Sequence, residues 1–283
     1  LSVVDATFPC LMMLRRGSGV AASQPPLMIA HSLLGDHRGY GRMWNMAIQK
    51  CEVFTARHRG LWGAATFTLD RAGAMSMANE YALALVAAFQ SGPFDLVGAS
   101  FGAVLASHES CASKAAGGRP RRILLIDPPP AVPMELPVPK MATSLRTAAM
   151  GVLLIHLHIE MGTSVWEHFP QLQTLPEEAL ACFAAAQCMP VGSSAATLRV
   201  SAERFHQLLL VYRQCRHAFH VLSAHVHVHV EGHVDNSGAP AILMALSTDR
   251  WPTFREMFPG VKEDALFQYG PAATVQRPGK HIA

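Results

Sequence analysis

The chain is short of charge. Asp, Glu, Lys and Arg together make up 15% of its 283 residues, well under the roughly 25% usual for soluble domains. Half of the residues are hydrophobic, so the chain must bury a large core, and an apolar cavity or partner face besides. The formal net charge of +3 is too small to argue for a nucleic-acid partner. One basic cluster, Arg119, Arg121 and Arg122, is expected to cap a surface loop. Long apolar runs are missing too: none reaches the ~18 residues of a membrane span. The nearest, MGVLLIHLHIEMG, is broken by His156, His158 and Glu160. The opening LSVVDATFPCLMML has neither an initiating Met nor the basic stretch of a signal peptide, and it reads as the start of a piece cut from a longer protein. Six cysteines are scattered without CxxC spacing. They are expected to be reduced, mostly buried thiols in a cytoplasmic setting, not a disulfide frame or a zinc site.

What is present is an alternation of short apolar runs and helical periodicity. Leu11 to Leu14, PLMIAH, CEVFTARH, Phe94 to Val97 and RRILLID read as strands. Met75 to Gln90 and Phe101 to about Ala112 read as helices. Three prolines, Pro128 to Pro130, stop the RRILLID strand because proline cannot continue a ladder. Such alternation predicts an α/β domain with a mostly parallel, doubly wound sheet. After Pro130 the apolar spacing is helical up to about His220, a stretch of roughly 90 residues that is too long for a plain connection. Strand patterns return in PAILMALST and, last, in AATVQ. One core is therefore expected from residues 1–133 and 235–283, with a mainly helical lid, 134–234, inserted between.

The stretch FDLVGASFGAVLA contains G-x-S-x-G between a predicted strand and a predicted helix. A serine nucleophile at such an elbow needs a strained backbone that lifts its hydroxyl clear of the sheet. Its neighbours at ±2 must be tiny so that strand and helix can approach. Gly98 and Gly102 flank Ser100 at that spacing. The amide of Phe101 would supply one oxyanion donor. A base and an orienting acid must follow in chain order. Asp127, closing RRILLID, and Asp249, after PAILMALST, both sit at strand ends, and neighbouring strand ends lie only ~5 Å apart, so residue physics leaves both open. Of fifteen histidines, His281 lies just past the last strand, where the base is presented. His31 precedes the nucleophile and is expected to be structural. His156, His158, His206, His217 and His220 fall in the helical insertion and read as polar or packed helix residues. In AHVHVHVEGHV, His225, His227 and His229 would share one strand face. Three imidazoles at that spacing could bind zinc or copper, and a half-buried strand with a wet histidine face accounts for them as well; no metal or cofactor is expected.

These motifs resemble, in order, the thioesterase domains that end fatty acid and polyketide synthases and the related domains of peptide synthetases. PLMIAHSLLG resembles the family's first strand and oxyanion loop, FDLVGASFGAVLASH its elbow, RRILLIDPPP its acid-bearing strand, and VQRPGKH its terminal histidine motif. The resemblance implies an α/β-hydrolase fold and a triad of Ser100, Asp127 and His281, with Asp127 favoured over Asp249. It places the second oxyanion amide at Leu33. It also implies a Ser acyl-enzyme that releases a chain from a phosphopantetheine thioester on an acyl carrier protein, by hydrolysis or cyclisation, inside a larger multidomain synthase. A carboxylesterase or lipase using Asp249, and a non-catalytic acyl-binding domain, are the competing readings. Three features depart from the family pattern. Ser32 replaces the usual proline, the insertion is longer than in most bacterial domains, and the sequence stops at Ala283 without the usual helix after the histidine.

Overall fold

The computed structural model describes residues 2–3, 9–15, 24–37, 51–63, 66–90, 92–128, 144–153, 169–188, 194–223, 242–247, 266–269 and 275–276. The chain begins with strands β1 (Ser2–Val3), β2 (Leu11–Arg15), β3 (Leu27–Ile29) and β4 (Val53–Ala56), followed by a 3-10 turn, Arg59–Trp62. Helix α1 (Arg71–Phe89) leads to β5 (Pro93–Ala99), helix α2 (Phe101–Ala115) and β6 (Arg119–Ile126). Helices α3 (Leu145–Leu153), α4 (Phe169–Thr174), α5 (Leu180–Cys188) and α6 (Ala195–Ser223) come next. Strands β7 (Ile242–Ser247), β8 (Leu266–Tyr269) and β9 (Val275–Gln276) close the sheet.

The sheet order is β1-β2-β4-β3-β5-β6-β7-β8-β9. Pairing is parallel from β4 through β8 and antiparallel at both edges. Chain reversal between β3 and β5 puts a crossover at the centre, where doubly wound sheets carry their sites. Interior strands covered on both faces must be apolar nearly throughout. In β5, accordingly, Phe94, Leu96, Val97 and Gly98 are all buried. The elements α1, α2 and β5 each lie close to their expected spans. Helix α1 starts four residues earlier than its periodicity predicts because Asp70 caps it, its Oδ1 accepting from the Gly73 amide at 2.7 Å.

Two expectations are corrected. The arginine cluster does not cap a loop: Arg119, Arg121 and Arg122 open β6, and Arg121 forms a two-pronged ion pair with Asp95 of β5, at 2.6 and 2.9 Å. Arg119 and Arg122 pair with Pro93 and Asp95 of β5, and Arg121, at the register shift between them, reaches its guanidinium across to the neighbouring strand. The cysteines are less uniformly buried than expected. Cys10 and Cys215 are buried, but Cys182 is exposed on α5, because its helix turns that side to solvent. Strand β8 was not legible in the sequence at all.

Two apolar clusters meet along α6. The sheet core joins Leu96, Phe101 and Leu105 to Val211, Cys215, Ala218 and Leu222 of α6. A second cluster packs Ala148, Val152 and Leu153 of α3 against Leu180 and Ala184 of α5 and Leu209 and Tyr212 of α6. Within residues 144–153, Ala148, Ala149, Val152 and Leu153 are thus spent on helix packing. No helix among the described residues is long and apolar enough to cross a membrane.

Candidate active site

Strand β5 runs straight into α2 through one residue, Ser100. Its φ of 52° and ψ of −114° lie outside the conformations a non-glycine residue adopts without strain, a cost of roughly 1–3 kcal/mol. Three backbone bonds hold it there. The Ser100 amide donates to the Ile126 carbonyl at 2.8 Å, and the Ser100 carbonyl accepts from Ala103 and Val104 at 3.1 and 3.4 Å. The side chain is exposed and forms no capping bond to the helix. The hydroxyl therefore stands above the sheet at the N-terminus of α2, where the helix dipole favours developing negative charge.

Gly98 shows why the elbow needs its glycines. A Cβ there would lie 2.0 Å from the Gly102 carbonyl oxygen and 2.7 Å from the Ala103 nitrogen. No side chain can swing out of a clash with backbone, so strand and helix would have to separate. Gly98→Ala is expected to cost about 3 kcal/mol or more, lowering the thermal midpoint by roughly 6–12 °C. Thermal unfolding followed by circular dichroism checks this, and a midpoint within 2 °C of the parent would contradict the close approach.

Asp127 ends β6 as Ser100 ends β5. Ala99 pairs with Ile126 in parallel register, so the next residues, Ser100 and Asp127, leave neighbouring strands at the same level. Asp127 also has a positive φ, 43°, which aspartate tolerates better than most residues. The carboxyl end of the β5/β6 pair thus presents a serine and an aspartate side by side.

The turn after β3 supplies the third part. Within it Ser32 N–H donates to the Asp36 carbonyl, Gly35 N–H to the Ser32 carbonyl (2.9 Å each) and Leu34 N–H to Ser32 Oγ at 3.2 Å. Among the described residues, the Leu33 N–H is the one amide of positions 32–35 with no acceptor, and the Phe101 N–H at the start of α2 likewise has none. The Ser32 hydroxyl, donating to the Asp36 carbonyl at 3.0 Å, closes the turn where the related motif has proline.

His31 is fully buried beneath this turn. Its Nδ1–H donates to the Ser32 carbonyl at 2.8 Å and its Nε2 accepts from the Tyr81 hydroxyl at 3.0 Å. The ring also packs against Phe101, centroids 5.7 Å apart. Burial drives its pKa down to about 4, so it stays neutral and serves as a bracket for the turn. Tyr81 and the buried His58, whose Nδ1 accepts from the Gly60 amide at 3.1 Å, were not singled out from sequence. The pattern of His31, Gly35 and Gly60 around two turns was the available signal.

Asp249 and His281 lie outside the described residues, as do His156, His158, His225, His227 and His229. In α6, His206 is exposed, His220 half-buried and His217 buried. No group of three His, Cys, Asp or Glu among the described residues is placed to hold a metal ion.

Similarity to known proteins bears on the family and the fold. The family profile of the Thioesterase domain matches residues 25–228. No curated protein sequence matches the chain significantly. Among solved structures, a four-domain nonribosomal peptide synthetase, holo-AB3403 bound to AMP and glycine, superposes with a TM-score of 0.59 at 17% identity over 92% of this chain. The chain spans only 18% of that synthetase's length. The Vlm2 thioesterase domain, bound with a dodecadepsipeptide, gives a TM-score of 0.53 at 16% identity, covering 93% of this chain and 89% of that one. A carboxylesterase of the thaumarchaeon Nitrososphaera gargenis gives 0.50 at 12% identity, covering 92% and 86%. The architecture they share with this chain is the α/β-hydrolase fold.

Proposed function

Because the chain belongs to the thioesterase domain family, and so to a family of hydrolases, we propose that it releases an acyl or polyketide chain from the phosphopantetheine thioester of a carrier protein. Ser100 is the nucleophile in this reading. The observation that carries it is the exposed, strained Ser100 beside Asp127, flanked by the two amides of Leu33 and Phe101 that have no acceptor. A serine hydroxyl is too weak a nucleophile alone, so His281 takes its proton as Oγ attacks the acyl carbonyl, and Asp127 orients the imidazole. The Leu33 and Phe101 amides hold the oxyanion. The intermediate collapses by breaking the C–S bond, and the imidazolium returns its proton to the leaving thiolate. Water, or a hydroxyl of the chain itself, is then deprotonated by His281 and attacks the acyl-serine, regenerating Ser100.

The same reading gives the chain a carrier-protein partner, a place in a larger multidomain synthase and a cytoplasmic setting in which its thiols stay reduced. It treats residues 134–234 as a lid on a core built from 1–133 and 235–283. The position of α3 to α6 between β6 and β7 supports that division. Neither a metal nor a cofactor enters the chemistry.

Comparing Asp127→Asn with Asp249→Asn on an acyl-pantetheine thioester tests the acid. Asp127→Asn is expected to lower kcat by about 10²–10⁴, while Asp249→Asn stays within about threefold. Loss of turnover in Asp249→Asn alone would instead fit the carboxylesterase-type arrangement and remove Asp127 from the triad.

A further inference from the structure

The turn that carries the Leu33 amide is gripped from two sides. On the core side, His31 Nδ1–H donates to the Ser32 carbonyl while the Tyr81 hydroxyl holds the other side of the ring. On the lid side, Leu34 joins the apolar cluster of α3, α5 and α6, and Val211 of α6 meets the turn's glycine. A Cβ on Gly35 (φ +79°) would lie 2.5 Å from Val211 Cγ1, and a Cβ on Gly60 would lie 2.9 Å from Val211 Cγ2. The two methyls of Val211 therefore fill a socket floored by glycines from two separate turns, one after β3 and one after β4. Val211 is fully buried there. His58 ties the same two turns together: its N–H donates to the Gly35 carbonyl at 2.8 Å and its Nδ1 accepts from Gly60 N–H. Around Val211, Leu209 and Tyr212 belong to the cluster with α3 and α5, which also takes in Leu34 of the turn, and Gln214 donates its Nε2–H to the Phe67 carbonyl.

We infer that Val211 is a positioning residue for the oxyanion turn, so that the seating of the lid helix α6 sets where the Leu33 N–H points. Close-packed interiors transmit such a displacement instead of absorbing it. Gly35 has no side chain to fill the space if α6 shifts, and its left-handed φ leaves the turn able to adopt other shapes. Helix α6 and the amide that stabilises the oxyanion then act as one unit. The inference rests on the reading that the Leu33 amide serves acyl transfer at Ser100.

The experiment uses the full chain, decanoyl-pantetheine as substrate and a fluorophosphonate to titrate active sites, so that kcat is expressed per labelled Ser100 and unfolded protein drops out. Val211→Ala is expected to lower kcat per labelled site about tenfold, a fraction of the 10²–10³ that loss of a whole oxyanion donor costs, with KM within threefold. Affinity for a decanoyl trifluoromethyl ketone, whose oxyanion occupies the same place, should weaken in proportion. Val211→Ile, which keeps both Cγ atoms, should restore both. Gly60→Ala pushes on Val211 from the turn that does not carry the amide, and it should reproduce the loss even if Val211→Ala yields no folded protein. Values of kcat per site within twofold of the parent for Val211→Ala, or for Gly60→Ala where the former does not fold, overturn the inference. A parent chain that is not labelled at Ser100 overturns the proposed function and this inference with it, whereas labelling with a flat Val211 series overturns the inference alone.

Discussion

Ser100→Ala is expected to abolish covalent labelling by a fluorophosphonate and to lower thioester turnover by at least about 10³-fold, since removing a serine nucleophile can cost on the order of 10⁶ in kcat. Stability should hardly move. Alanine keeps the same Cβ, so the backbone strain at φ 52° is unchanged. The lost hydroxyl is exposed and caps nothing, so no buried partner is orphaned. This combination, full loss of labelling with a thermal midpoint within about 2 °C, separates a nucleophile from a structural serine in a glycine-rich turn. Labelling that survives the substitution would move the nucleophile elsewhere and dissolve the assignment. A parent protein that is never labelled would favour a non-catalytic acyl-binding domain.

The second large effect concerns stability and lies on the same helix. Glu109 of α2 is fully buried, and neither carboxyl oxygen has a hydrogen-bond partner. Burial raises its pKa from 4.5 to about 8, because the charged form loses its hydration without gaining a counter-ion. The folded state then holds a proton that the unfolded state releases above pH 4.5. Since the unfolded chain binds fewer protons, stability falls as pH rises from 4.5 to about 8, by about 1.4 kcal/mol per pH unit, and levels off above. The total approaches about 5 kcal/mol on the alkaline side. Glu109→Gln should remove this slope, so that variant and parent diverge steadily from pH 5 to pH 8 in favour of the variant.

His31 has the opposite sign and a different window. Its pKa is pushed down to about 4, so its contribution is lost only as pH falls below 6.5. His58, His217 and His220 are also shifted downward by burial, and the Cys10 thiol is pushed up to about 12. Across the range from pH 6.5 to 8 the histidines shifted downward add little slope, and the difference between parent and Glu109→Gln reports Glu109. Urea unfolding across that range measures the slope, and parallel curves for parent and Glu109→Gln would show that the carboxyl is ionised and solvated in the fold.

Much of this molecule follows from short-range rules. Apolar runs of strand length alternating with helical periodicity require parallel βαβ units, and β3, β4, β5 and β6 formed where those runs lie. Gly98 and Gly102 around Ser100 require a strand and helix in close approach, and the 2.0 Å clash of an added Cβ is the reason. Asp70 one residue before Arg71 is a helix cap by its own chemistry. The elbow could be read from five residues because its steric demands are met by neighbours in the chain.

What the tertiary structure decided is set by residues far apart in sequence. Helix α2 carries a polar run, Ser107 to Ser110, and all four residues are buried. The cause is that α1 and α6 both lie on it, so that His108 reaches the Leu222 carbonyl at 3.0 Å. The arginines of 119–122 look like a loop cluster until Asp95 stands beside them on the next strand. Tyr81 is one more helix residue until it donates to His31, fifty positions earlier. Val211 is one more valine until two glycines, each from a different turn, leave it the space for its methyls. Local sterics and capping depend on side chains a few bonds away and are written in the sequence itself. Burial, pKa and the shape of the oxyanion turn depend on which distant element arrives to exclude water, and only the packed fold determines that.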